Sequence, residues 1–242
     1  MTLGFAIGTN AGIHQSSDLR LTYPAGGVYK DPTPKAVVVA YRSWFGIITF
    51  AGIGAITYAE TTCDWLAGLV VRCGEDLSTD ELAEAIRREA SVWLRPLPAA
   101  SRKHSFVLSG ITKGGPRLLV ISNWEYANGR QLDQARSEFF ISQAQVRRPL
   151  SDPALVVTGW RPAVSKQDRV GLRWAVRKKM DHLAARKRMA EINETVANRS
   201  EAAGRISVSC FVLSLLPDGH VWGELYGDTK EKFLVKCICQ GI

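Results

Sequence analysis

Apolar residues in this chain fall into short β-type runs separated by two stretches of helical period. Residues 3–7 form a first apolar run, Asn10, Ala11 and Gly12 supply a turn, and residues 13–17 return before Asp18. Residues 23–34 hold Pro24, Gly26, Gly27, Pro32 and Pro34 and read as an irregular loop. The stretch KAVVVAYRSWFGIITFAG then sets two apolar β-branched runs around residues 41–44, the pattern of a buried hairpin. Over residues 55–71 the apolar step changes to three and four, which predicts a helix stopped by Gly74. Ser78 and Glu81 have capping-box spacing, and Leu82, Ala85, Ile86, Ala90 and Trp93 make one stripe that ends at Pro96 and Pro98.

The second half repeats this alternation. Residues 106–111 and 118–122 flank a turn at Lys113, Gly114, Gly115 and Pro116, and residues 154–158 read as a further strand. Residues 167–198 are helical, as one helix or two, and residues 206–215 and 220–225 bracket the turn at Pro217, Asp218 and Gly219. No repeat or low-complexity linker divides the chain, so residues 1–242 are expected to form one domain. Grouped strands and grouped helices, without strict alternation, imply an α+β protein of stacked antiparallel sheets with helices outside.

Composition narrows this little. Of the 242 residues 46% are hydrophobic, enough for a sizeable core, and 31 basic against 23 acidic residues leave a net charge of +8. That excess sits largely in the late helical stretch, at Arg169, Arg173, Arg177, Lys178, Lys179, Arg186, Lys187 and Arg188. A nucleic-acid surface is the competing reading, but the stretch interleaves only Trp174 and alternates with Asp181, Glu191 and Glu194. It reads better as a solvated or subunit-contact face. No apolar run reaches the roughly 20 residues that cross a bilayer, and the N-terminal residues lack a signal-peptide pattern, so the expectation is a cytoplasmic protein without a membrane partner. Five scattered cysteines without a CxxC, together with four histidines, lack zinc-site spacing and read as free thiols. Cys237 and Cys239 share one face of a strand in FLVKCICQ.

The chemically informative residue is Thr2. Once the initiator methionine is removed, a terminal threonine carries a nucleophilic hydroxyl and, in its own α-amine, a base of pKa about 7.7–8. In TLGFAIGTNAGIHQSSDLR this threonine leads through a strand, a glycine turn and a second strand to Asp18 and Arg20; Ala51 and Gly52 close the next hairpin. SGITKGGPRLLVIS and ISVSCFVLSLLPDGHVWG supply a central and a late hairpin.

In these features the chain resembles the N-terminal nucleophile hydrolases, on the branch of proteasome β-subunits and the bacterial HslV peptidase. The resemblance implies a four-layer α-β-β-α sandwich of two antiparallel sheets. It implies a threonine peptidase acting through an acyl-enzyme on Thr2, with no metal or organic cofactor. Asp18 would ion-pair with a lysine beside the nucleophile. Lys35, which immediately precedes AVVVA, is the candidate, with Lys30 as its rival. The Gly52 N–H would serve the oxyanion, Arg20 would lie on the substrate side, and Thr158 would stand where the family places a serine supporting the amine. The implied partners are a peptide or unfolded protein, further copies in stacked rings, and an ATP-dependent unfoldase.

The chain departs from the family pattern late. An Asp-x-x-Ser-Gly is usual there, whereas the stretch from Asn198 to Gly204 has Ala203 where the serine falls and Ser200 nearest the aspartate. A non-catalytic ring scaffold and an amidase for small acyl-amino substrates are therefore the alternatives. Any form retaining Met1 would have a blocked amine.

Overall fold

Four pairings between distant strands, Leu3–Thr9 with Ala154–Gly159, Gly12–Asp18 with Cys210–Leu215, Ala36–Tyr41 with Lys236–Gln240 and Trp44–Ala51 with Ser105–Thr112, build two sheets from the local hairpins. The structure, a computed structural model, describes residues 2–9, 11–22, 28–30, 33, 35–55, 60–74, 76–145, 153–177, 182–202, 204–227 and 236–240. In chain order the strands and helices are β1 (Leu3–Thr9), β2 (Gly12–Asp18), β3 (Leu21–Thr22), β4 (Val28–Lys30), β5 (Ala36–Tyr41), β6 (Trp44–Ala51), α1 (Thr62–Arg72) and α2 (Thr79–Trp93). There follow β7 (Ser105–Thr112), β8 (Gly115–Ser122), β9 (Phe140–Gln143), β10 (Ala154–Gly159), α3 (Lys166–Arg177), α4 (His182–Ala197), β11 (Cys210–Leu215), β12 (Val221–Tyr226) and β13 (Lys236–Gln240). One sheet has five strands in the order β10-β1-β2-β11-β12, and the other has six in the order β13-β5-β6-β7-β8-β9. β3 and β4 pair separately.

Alternation along the strands decides what each face covers. Leu3, Phe5 and Ile7 of β1 pack with Leu172 and Val176 of α3 and with Met189 and Ile192 of α4. Val37 and Val39 of β5 pack with Leu66 and Val70 of α1 and with Leu82 and Ile86 of α2. The residues between them turn to the opposite sheet: Ala6 meets Val107 and Val120, and Ile13 meets Val38 and Ile47. Leu66 and Leu82 are fully buried, and each such side chain stabilises the fold by about 1.5–3 kcal/mol.

Helix starts follow from capping. Ser78 and Glu81 form the reciprocal box that opens α2, with Ser78 N–H donating to Glu81 Oε2 at 2.8 Å. The helix read over residues 55–71 begins only at Thr62, because Thr61 and Asp64 form a second box there and residue 55 bridges to residue 61 instead. The late helical stretch is two helices, α3 and α4.

The expected four-layer sandwich of two antiparallel sheets is corrected. The six-stranded sheet is mixed, because β13 runs parallel to β5 from the register Lys236 opposite Val37. Eleven strands in the two large sheets stand against four α-helices among the described residues, so sheet outweighs helix and the layering is not cleanly fourfold. No described helix is long and apolar enough to cross a membrane.

Candidate active site

β1 begins one residue after Thr2, β2 ends at Asp18, and Lys35 immediately precedes β5. Lys35 Nζ donates to Thr2 Oγ1 at 2.7 Å and to Asp18 Oδ1 at 2.9 Å. All three residues are at most 1% exposed. The Asp18 carboxylate also accepts from the backbone N–H groups of Leu3 (3.0 Å, Oδ1), Arg20 (3.2 Å, Oδ2) and Ser207 (3.3 Å, Oδ2). A buried ion pair withstands its desolvation only when such further hydrogen bonds satisfy it, and here both carboxylate oxygens are used. The lysine ammonium is thereby held against the threonine hydroxyl.

Gly52 follows β6 with φ +123°, a left-handed conformation that favours glycine. A Cβ there would lie 2.5 Å from Lys103 O and 2.9 Å from His104 Nδ1, so the position also has no room for a side chain. His104 fixes this turn, because its Nδ1 accepts from Ile53 N–H at 3.0 Å. That bond requires an unprotonated Nδ1, and burial, then the nearby Lys35 charge, hold His104 down at about 3. Gly159, at φ +78°, meets the other side of Thr2: a Cβ on it would overlap the Thr2 carbonyl and lie 3.3 Å from Ala51 Cβ. The Thr2 carbonyl itself accepts from Trp160 N–H at 2.9 Å.

Two of the expected site residues are engaged elsewhere. Thr158 pairs across the sheet with Gly4, and its hydroxyl reaches the Gly4 carbonyl at 3.5 Å. The Arg20 guanidinium donates to Gly204 O at 2.7 Å, clasping the turn before β11. Lys30 contributes backbone to β4; its side chain, and Ala203, lie outside the described residues. Ser200 donates to exposed Glu201, at 3.3 Å.

Sequence reasoning missed three supports. Asn193 Nδ2 donates to Ser207 O and Val208 O at 3.0 and 3.1 Å, which sets the Ser207 N–H on Asp18. His104 was visible only as a histidine without a metal partner. Glu125 is 1% exposed, and its Oε1 accepts from Gly159 N–H at 3.4 Å, one residue from the Thr2 contact. Burial lifts its carboxyl to about 7; bonds from Ser105, Gln131 and Gly159, and the Arg161 charge, oppose that shift only in part. No local pattern marks a lone glutamate in a polar loop as buried.

The two buried cysteines offer no rival nucleophile. Cys63 is buried and its thiol is pushed up to about 11, and burial raises Cys210 as well. Among the described residues no group of three or more His, Cys, Asp or Glu side chains is placed to hold a metal ion.

Among solved structures matching this architecture is a mutant of Anbu from Hyphomicrobium sp. strain MC1, 13% identical, with a TM-score of 0.61 over 95% of this chain and 89% of that one. The fold is similar to that of Anbu. No family model matches the sequence, and no curated protein does either. The expected membership of the N-terminal nucleophile hydrolases, on the proteasome β-subunit and HslV branch, is therefore corrected: at 13% identity the likeness to Anbu gives the fold alone and carries neither membership nor activity. The physical reason is that part of the shared motif serves packing here. Gly4 and Gly159 admit neighbouring backbone and side chain, and Arg20 clasps a turn, which are needs of this packing whatever the chemistry.

Proposed function

We propose that this chain is a hydrolase that cleaves peptide bonds with Thr2 as an N-terminal nucleophile. The observation that carries the reading is the 2.7 Å hydrogen bond from buried Lys35 to Thr2 Oγ1, anchored by Asp18. With the α-amine of Thr2 freed, Oγ1 attacks the scissile carbonyl and its proton passes to the amine, directly or through one water. Lys35, donating to Oγ1, favours the loss of that proton. The developing oxyanion takes a hydrogen bond from Gly52 N–H, where the missing side chain permits close approach. The C–N bond then breaks, the Thr2 ammonium protonates the departing amine, and water hydrolyses the ester on Thr2 by the reverse proton route.

A peptide or unfolded segment is the proposed substrate, and self-association belongs to the same proposal. Edge strand β12 leaves Val221 and Trp222 exposed, Trp222 at 56%, which is apolar surface a neighbouring copy would cover. A cytoplasmic ring fed by an ATP-dependent unfoldase remains the proposed setting.

The test is covalent labelling of the native protein with a β-lactone or epoxyketone probe, read by intact mass and peptide mapping. Protein with a free Thr2 amine is expected to label on residue 2, and folded Thr2→Ala and Lys35→Met are expected not to. Labelling of Thr2→Ala at the same site, or a Thr2 amine that is blocked throughout the native population, overturns the proposal.

A further inference from the structure

The basic excess of the late helices is not spread evenly. Lys166, Arg169 and Arg173 stand at steps of three and four on α3, so their side chains share one face. Arg161, in the short 3-10 turn Arg161–Ala163 that follows β10, points to the same place. Together these four cations line a cavity of about 400 Å³ whose apolar wall includes Leu155 and Val157 of β10. No carboxylate belongs to its lining.

Like charges at this spacing repel, whereas two arginines on other helices are answered locally: Arg87 pairs with Glu84 and Arg188 with Glu191. In the cavity the guanidinium hydrogens are left over. Arg161 Nη1 and Arg173 Nε are buried without a hydrogen-bond partner among the described residues. Arg169 is held in place by bonds to Val164 O (2.9 Å) and Ser165 O (3.3 Å) rather than by a counter-charge. Burial and the Arg169 charge both press against the charge on Arg161, which Glu125 offsets from the sheet side. Gly129 is part of the design: at φ +86°, any Cβ there would overlap the Arg161 guanidinium. Buried donors without partners destabilise a fold, so such a set persists where a ligand satisfies it.

We propose that this cavity binds a phosphate-bearing small molecule, with the phosphate across Arg161, Arg169, Arg173 and Lys166 and its organic body against Leu155 and Val157. Guanidinium forks match phosphate oxygens two at a time, and four cations call for a group carrying more than one negative charge. The volume exceeds what a bare phosphate fills and lies within the range of small-ligand pockets. This site is separate from Thr2 and does not depend on its being a nucleophile.

Calorimetric titration of the full chain at low ionic strength tests it, with pyrophosphate, naphthyl phosphate and uncharged naphthol as probes. Both anions are expected to bind and naphthol is not. Arg173→Glu should weaken the anions by about tenfold or more, as a reversed charge at hydrogen-bond range requires. Lys166→Glu, at an exposed position, should do the same if Arg173→Glu does not fold. Arg188→Glu, outside the cavity, should leave affinity unchanged. Absence of binding by both anions, or equal weakening by Arg188→Glu, overturns the proposal.

Discussion

Replacing Glu125 by glutamine isolates a buried charge that the fold pays for near neutral pH. The glutamine amide keeps the shape of the protonated acid and its acceptor toward Gly159 N–H, but it cannot ionise. Burial lifts the folded carboxyl to about 7 from its ordinary value of 4.5. Between those values the folded state binds more protons than the unfolded one, so stability falls as pH rises. Those two values give a loss of about 2.5 kcal/mol between pH 5 and pH 8 from this one group. The wild-type curve alone would conceal it. His14 and His104 are both held at about 3, chiefly by burial, so they make stability rise with pH below about 6.5, in the opposite direction. Urea denaturation of wild type and Glu125→Gln across pH 5–8.5 removes the histidines by subtraction. The variant should match wild type near pH 5 and exceed it by about 2–3 kcal/mol at pH 8. Parallel curves, or a variant that loses stability relative to wild type as pH rises, would refute the reasoning.

Asp18→Asn sets an NH₂ group against donors on one or other oxygen and leaves Lys35 buried without its counter-charge; a loss of about 3–5 kcal/mol in chemical denaturation is expected, and a loss below 1 would contradict the buried pair. Gly52→Ala combines a left-handed backbone with a clash on Lys103 O, so it should destabilise by about 1–3 kcal/mol and abolish probe labelling; a stable, fully labelled variant would remove Gly52 from the site. His14, buried against Ser214 Oγ at 2.7 Å, must acquire charge in acid, and its depressed value implies about 3 kcal/mol lost from pH 6.5 to pH 4. His14→Gln should flatten that limb of the denaturation profile, and an unchanged limb would count against the burial argument.

What was legible in the chain was local. The turn at Pro217, Asp218 and Gly219 and the Ser78–Glu81 box are short-range devices; α2 and β12 form close to where they predict, while β11 begins at Cys210, four residues after the expected start. α1 starts at Thr62 rather than near residue 55, because the Thr61–Asp64 box sets the helix start and the three-and-four apolar step over residues 55–71 does not. The parallel pairing of β13 with β5 had no signature, since the partners lie about two hundred residues apart and alternation within FLVKCICQ says nothing of its neighbour. The meeting of Asp18 with a lysine beside Thr2 was expected from the resemblance alone, and the structure brings Lys35 to both residues. Glu125, His104 and Asn193 act through burial and through bonds to backbone atoms of distant elements. Such roles exist only after the sheets have met.

Thr2 and Asp18 belong to the five-stranded sheet, whereas Lys35 and Gly52 come from the six-stranded one. Neither sheet alone can assemble the constellation. An incompletely docked chain, whether newly made or partly melted, would carry a threonine amine with no lysine against its hydroxyl. The interface between the sheets therefore acts as an interlock: the contact of Lys35 with Thr2 comes into being only with the finished tertiary structure, and loosening the seam parts the two residues.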